Sequence, residues 1–302
     1  KNTDVESSSV KIAGLICKNI SRRYSRMVAD GSLEEYLIAN NLVSIYDVDT
    51  RALVQHVRSK GAMNCIISTE LTDEESLKAE LAKVPSMDGL ELSSQVSTAS
   101  VYTLGNPDAE CRIAVLDYGV KKNILNCLVE RGAYVKVFPA KTEIEELKAF
   151  DPHGYFISNG PGDPASMGYA VKTVKDVLAT NKPLFGICLG HQLLGLTYGG
   201  RTYKLPYGHR GGNHPVKELS TGKVFITSQN HGFAVEGSEQ GIPGAPDLQV
   251  THVNLNDGSV EGLKHRTLPI FSVQYHPEAA PGPHDARPLF DDFMFAVTNR
   301  TV

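Results

Sequence analysis

From about residue 108 the sequence predicts an α/β fold, a mainly parallel, doubly wound sheet with helices on both faces. Two observations predict it. Short apolar runs alternate with amphipathic helical patterns between residues 113 and 187. The stretch 183–200, PLFGICLGHQLLGLTYGG, reads as a buried strand turning sharply into a helix. Residues 1–107 instead hold short elements set off by capping signals, which predicts a smaller α/β domain in front.

In the first domain, Ile12, Leu15 and Ile16 predict a short strand. Ser32 with Glu35 three residues on is a capping box, opening a helix that ends at Asn40-Asn41. Residues 42–46, apolar and β-branched, predict a strand. Asp49-Thr50 caps a helix through Arg58, stopped by Gly61. Residues 63–67 predict another strand. Thr72 and Glu75 repeat the capping box, Leu77, Leu81 and Val84 follow at helical spacing, and Pro85 ends that helix. Residues 93–110 turn polar, and the turn cluster 105–108 marks the expected boundary between domains 1–107 and 108–302.

The second domain reads as strand 113–116, helix 121–131, strand 134–138, helix 143–150, strand 154–157, helix 169–180 and strand 184–187. Beyond Gly200 the pattern is strand-rich, with candidates at 224–227, 249–253 and 270–274, and a last helix from about 287 to 297. Function in such a sheet belongs at the carboxyl ends of the strands.

Composition narrows the field. The 302 residues carry a net charge of -4 with both signs mixed and no basic block, so neither nucleic acid nor an anionic membrane is expected. No apolar run approaches a membrane span, and residues 1–11 lack the apolar core of a signal peptide. Cys17, Cys65, Cys111, Cys127 and Cys188 are scattered, odd in number and without zinc spacing. They suit a reducing, cytoplasmic setting.

Cys188 is the candidate nucleophile. Gly186 and Gly190 flank it, and the following helix points its positive end at the sulfur, which favours thiolate. A thiolate nucleophile needs a base, an orienter and oxyanion donors. His276 follows the apolar run 270–274, and Glu278 lies two residues on, to the same side of an extended segment. Pro277 biases His276 toward that geometry. The loop 158–164, SNGPGDP, lacks the Lys-Ser/Thr of a phosphate loop and reads better as an oxyanion wall. The N–H groups of Gly160 and Leu189 are the expected donors. His231, in the polar cluster 229–233, could be a second base or a metal ligand beside His209 and His214. With no H-E-x-x-H and no tight ligand set, no metal is expected. His191 reads as a packing or hydrogen-bonding residue, and Lys204, His209 and Arg210 as solvated.

GICLGHQ, the PGDP loop and the HPE triplet together resemble the class I, triad-type glutamine amidotransferases. More narrowly, the chain is similar over nearly its whole length to the small, glutaminase subunits of carbamoyl phosphate synthetases. YDVDTRALVQHVRSKGAMN, LDYGVKKNIL, GGNHPV, SQNHGF and HPEAAPGPHD carry that resemblance. It implies that Cys188 is the nucleophile, His276 the base and Glu278 the orienter. It implies that Gly160, Gly162, Leu189, Gln192, Asn230, Gly232 and Phe233 contact L-glutamine, and that His231 helps position it. It implies glutamine hydrolysis through a γ-glutamyl thioester, and ammonia delivery by a tunnel to a large synthetase subunit. ATP, Mg and bicarbonate would bind that partner, so no cofactor is expected on this chain. Family members begin with a longer N-terminal stretch that holds a further glutamine-contacting serine, so the first domain is expected to be N-terminally incomplete. Synthetases that use free ammonia lack the cysteine, whereas Cys188 is present.

Three alternatives remain at this level. An amidotransferase component for anthranilate or GMP synthesis would not be expected to carry PGPHD or the first domain. A stand-alone γ-glutamyl hydrolase would need no partner. A binding or regulatory relic fits poorly with an intact Cys188, His276 and Glu278.

Overall fold

The computed structural model describes residues 10–27 and 29–299. Part of the stretch read for a signal peptide, residues 1–9, lies outside them. The chain forms two compact units, 1–86 and 87–302. The turn cluster 105–108, where the boundary was expected, lies inside the second unit.

In the first unit, β1 (Gly14–Ile16) and β2 (Val43–Ile45) pair in parallel. Between them α1 (Leu33–Ala39) opens on the Ser32–Glu35 capping box, with both reciprocal bonds made. Helix α2 (Thr50–Lys60) starts at Asp49, whose carboxylate accepts the Ala52 N–H, and stops at Gly61, φ 94°. Two expectations change. Residues 63–67 form no strand: none pairs with them among the described residues, and Asn64 donates its amide to the carbonyls of Val84 and Pro85. Helix α3 (Glu74–Leu81) is capped by Asp73, not Thr72, because the Asp73 carboxylate takes the Ser76 N–H at 2.8 Å.

The polar stretch after residue 92 is also structured. It holds α4 (Ser93–Val96) and β3 (Tyr102–Leu104), which pairs antiparallel with β5 (Ala133–Pro139) after β4 (Cys111–Asp117) and α5 (Lys122–Val129). The chain continues through α6 (Ile144–Ala149), β6 (Gly154–Ile157), α7 (Gly168–Leu178), β7 (Leu184–Ile187) and α8 (Leu189–Thr197). Then come β8 (Thr202–Glu218), β9 (Val224–Val235), β10 (Leu248–Asn254), β11 (Val260–His265), β12 (Ile270–Val273) and α9 (Pro288–Asn299).

One sheet of ten strands runs in the order β3-β5-β4-β6-β7-β12-β11-β10-β8-β9. The expected parallel core is β5, β4, β6, β7 and β12. Antiparallel strands extend it on both sides. Alternation along β4 shows why helices cover both faces. Ile113 and Val115 join a core with α5 and α9, including Leu128, Phe290 and Phe293. Ala114 and Leu116 face the other way, into a core with Val174 of α7 and Leu193 of α8. From β4 the chain moves first to β5 and then back past β4 to β6, so the sheet switches direction at β4. Because β6, β7 and β12 are adjacent and parallel, the loops that leave them open together at the carboxyl end of the sheet.

Candidate active site

Cys188 occupies the turn between β7 and α8 with φ 53° and ψ -100°, a conformation that non-glycine residues rarely adopt. The flanking glycines permit it. A Cβ at Gly186 would lie 2.9 Å from the Gly190 carbonyl, and one at Gly190 only 2.3 Å from the Ile157 oxygen on β6. The Cys188 N–H donates to Val273 O at 2.9 Å, tying the turn to β12. Leu189 opens α8, so its N–H has no helical acceptor and points from the helix N-terminus.

The base candidate lies just past β12. His276 Nδ1 donates to Glu278 Oε1 at 2.7 Å, and its backbone N–H donates to Ser228 O on β9. With Nδ1 committed to the carboxylate, Nε2 is left as the atom for proton exchange. Nε2 has no hydrogen bond of ordinary geometry, a common state of such pairs before substrate draws them together. Burial alone would lower the His276 pKa, but the Glu278 carboxylate and the neighbouring Cys188 sulfur outweigh it and raise the pKa. Burial opposes ionisation of Glu278 too, and His276 and Lys121 overcome it, so its pKa falls below the ordinary carboxylate value.

Residues 121–123 hold that dyad from the β4 side. Lys121 Nζ lies 3.5 Å from Glu278 Oε1 and also donates to the Ala279 carbonyl. Asn123 Nδ2 donates to Glu278 O at 2.6 Å. Motif reading singled out neither residue for this role. LDYGVKKNIL contains both, but only the fold brings them to a segment more than 150 residues away.

The glycine loop after β6 forms the opposite wall. A Cβ at Gly160 would meet Tyr118 O at 2.2 Å and Leu189 Cδ2 at 2.8 Å, so Gly160 and Leu189 are in direct contact. Ser158 and Asn159 anchor the loop to the end of β4: Ser158 Oγ accepts the Tyr118 N–H, and Asn159 bonds Lys121 N and Gly119 O. Gly162, φ 99°, packs against Leu90 and bridges Glu91.

The cluster 229–233 lies within β9 and splits by side. Gln229, His231 and Phe233 are buried, whereas Asn230 is exposed and Gly232 half-buried. The Asn230 carbonyl reaches the Cys188 sulfur at 4.0 Å. Gln192 is buried on α8, and its amide nitrogen donates to Phe233 O at 2.8 Å and Gln274 Oε1 at 3.0 Å. His191 bonds Ser272 Oγ at 3.0 Å. Cys188, Leu189, Gly160, Asn230, His276 and Glu278 thus converge. Gln192, His231 and Phe233 lie behind them, in the protein interior.

His209 overturns an expectation. It is buried, not solvated, because its ring faces acidic residues of the β10–β11 region: Nε2 bonds Asp257 at 2.8 Å, and Nδ1 lies 3.4 Å from Glu261. Among the described residues, His209, His231 and Glu261 bring potential metal-ligating atoms within 4.8 Å of one another. The Glu261 oxygens accept amide protons from Asn254 and Gln229, each at 2.9 Å, and His209 Nε2 bonds Asp257, whereas His231 bonds Phe233 O through Nδ1 and its buried Nε2 has no hydrogen-bond partner.

Comparison with known proteins shows the family. The family model for glutamine amidotransferase class-I matches residues 114–296, and that for the carbamoyl-phosphate synthase small chain, CPSase domain, matches residues 1–67. The carbamoyl phosphate synthase small chain of Synechococcus sp. is 49% identical over 98% of this chain and 78% of its own length. That of Chlorobaculum tepidum is 49% identical over 96% and 79%. A crystal structure from Thermoplasma acidophilum, described as one of the subunits of a GMP synthase, superposes with a TM-score of 0.55 at 21% identity. It covers 63% of this chain and 95% of its own, a likeness of fold. The chain belongs to the carbamoyl phosphate synthase small chain family and carries that family's class I glutamine amidotransferase domain.

Proposed function

We propose that this chain is the glutaminase subunit of a carbamoyl phosphate synthase, releasing ammonia from glutamine through Cys188, His276 and Glu278. The observation that carries the reading is the strained Cys188 turn beside a His276–Glu278 pair bonded at 2.7 Å. The Cys188 thiolate attacks the side-chain amide carbon of glutamine, and the carbonyl becomes an oxyanion. The Gly160 and Leu189 N–H groups receive it, each such donor being worth about 3 kcal/mol of barrier. Imidazolium at His276 gives its proton to the amide nitrogen, the C–N bond breaks and ammonia leaves. The γ-glutamyl group remains on sulfur as a thioester. Neutral His276 then takes a proton from water, which attacks the thioester carbon, and glutamate departs as the thiolate re-forms. Glu278 keeps the His276 proton on Nδ1 and stabilises the imidazolium without taking the proton.

Gly162, Gln192, Asn230, His231, Gly232 and Phe233 complete the glutamine site in this reading. Asn230 and Gly232 face the open side, Gln192, His231 and Phe233 hold the strand from within, and Gly162 belongs to the loop after β6. The names of the relatives support a partner, the large synthase subunit, which takes up the ammonia and holds ATP, Mg and bicarbonate. The direct test is acid quenching during turnover of glutamine, followed by peptide mass analysis. A γ-glutamyl adduct on the Cys188 peptide is expected. Glutamate release with no adduct on that peptide would overturn the covalent route.

A further inference from the structure

Strands β8 and β9 place His209 directly opposite His231 in register. The rings stand edge to face, with centroids 4.9 Å apart. His231 is fixed in turn: its Nδ1 bonds Phe233 O at 2.7 Å, the same carbonyl that accepts from Gln192. Beneath them the Glu261 carboxylate is fully buried and held by Asn254 and Gln229. His209 completes this layer by bonding Asp257 and approaching Glu261, and the His214 ring lies 5.2 Å away. A buried carboxylate needs a counter-charge, and a protonated His209 is the group placed to supply it.

We infer that His209, as an imidazolium clamped between Asp257 and Glu261, is a positioning residue for glutamine binding. It holds His231 and the 230–233 backbone of β9 in register beside Cys188. The inference rests on the glutaminase reading of this site. It assigns His209 no contact with substrate; His209 acts through its neighbour across the ladder. Asp257, Glu261, His231 and His214 are the titratable groups that face it, and Arg210 is the charged residue next to it in β8. Burial works against the His209 cation, but the bonds to Asp257 and Glu261 prevail and raise its pKa to about 9. Burial, together with the nearby His209, keeps His231 neutral, its pKa lowered to about 4.

The test uses the complex with the large synthase chain and compares wild type, His209→Gln and Asp257→Asn. The glutamine KM of His209→Gln should rise about tenfold or more, as on losing a buried charged hydrogen bond, while kcat changes by less than about threefold. Because the His209 pKa is raised, its contribution is complete below pH 6.5 and fades as pH rises through about 9. Wild-type KM should therefore climb above about pH 9, and KM of His209→Gln should already be high and stay flat. Should His209→Gln fail to fold, Asp257→Asn retains the ring with one counter-charge fewer, and its KM rise should begin at lower pH. An unchanged KM in the folded variants, a fall in kcat alone, or the same pH response in His209→Gln as in wild type would overturn the inference. Absence of glutamate release by the wild-type complex would instead sink the glutaminase reading.

Discussion

Cys188 is held in a backbone conformation that costs of order 1–3 kcal/mol, and the contacts around it keep it there. At that turn the buried sulfur lies at the rim of the core that holds Ile187 and Val273, close enough to His276 to raise its pKa. Cys188→Ser is expected to keep the fold and lose glutamate release by a factor of at least about 10³, because a serine hydroxyl stays protonated at neutral pH. Circular dichroism with a glutamate assay checks both halves. Glu278→Gln should cost about one to two orders of magnitude less activity than His276→Ala, since the acid orients the base. Equal losses, with His276 still in place, would show that the roles are misassigned. The pair also leaves a signature in stability. The Glu278 pKa is lowered, so its contribution is present above its ordinary value of 4.5 and lost as pH falls through the lowered one. The His276 pKa is raised, so its contribution is present below 6.5 and lost as pH rises through the raised one. The thermal midpoint of Glu278→Gln should fall furthest below wild type between about pH 4.5 and 6.5, as differential scanning across pH would record.

Among the elements, those that hold the site were the easiest to read. Leu184, Phe185 and Ile187 are apolar and buried on both faces of the sheet, and glycines frame the next turn, so β7, the turn and α8 fall where expected. The close approach at that turn makes a further prediction. Gly190→Ala would put a methyl carbon 2.3 Å from the Ile157 carbonyl, forcing α8 away from β6. A lower thermal midpoint and slower alkylation of Cys188 by iodoacetamide are expected. An alkylation rate equal to wild type would mean that the turn tolerates the shift. Strand β8 escaped the sequence reading for a physical reason. Its stretch GHRGGNHP is polar, broken by glycines and largely exposed, and the ladder to β9 is irregular between Lys204 and His209 and again between Gly211 and His214. A pattern-based reading sees turns there, and so takes His209 for a solvated residue. Residues 63–67 fail in the opposite sense: they have the apolar composition of a strand but no partner among the described residues. The order and type of the parallel core, and the convergence of Cys188, His276 and the Gly160 loop, were legible. The supports from Lys121, Asn123, Asp257 and Glu261 were not, because each comes from a distant segment and carries no local motif.

For the whole molecule, the chemistry of the product matters most. Ammonia released to water at neutral pH is mostly protonated and a poor nucleophile. In the proposed glutaminase reading, hydrolysis of glutamine is useful only if another catalyst receives the ammonia directly. The sequence contains no phosphate-binding Lys-Ser/Thr loop, and the second unit gathers Cys188, His276 and Glu278 beyond the ends of its adjacent strands β7 and β12. The first unit, 1–86, carries none of the converging residues, and α2 and α3 bury no side chain within the chain. That makes this unit the expected docking surface. This polypeptide alone is therefore expected to hydrolyse glutamine slowly and to make no carbamoyl phosphate. Adding a purified large subunit with ATP and bicarbonate should accelerate glutamate release. Coupling between two sites typically amounts to about 1–3 kcal/mol, or roughly 5- to 150-fold in binding, although its kinetic expression need not match. Gel filtration should show a complex under the same conditions. A glutamate rate that does not respond, together with no complex, would refute the docking assignment and favour a hydrolase that works by itself.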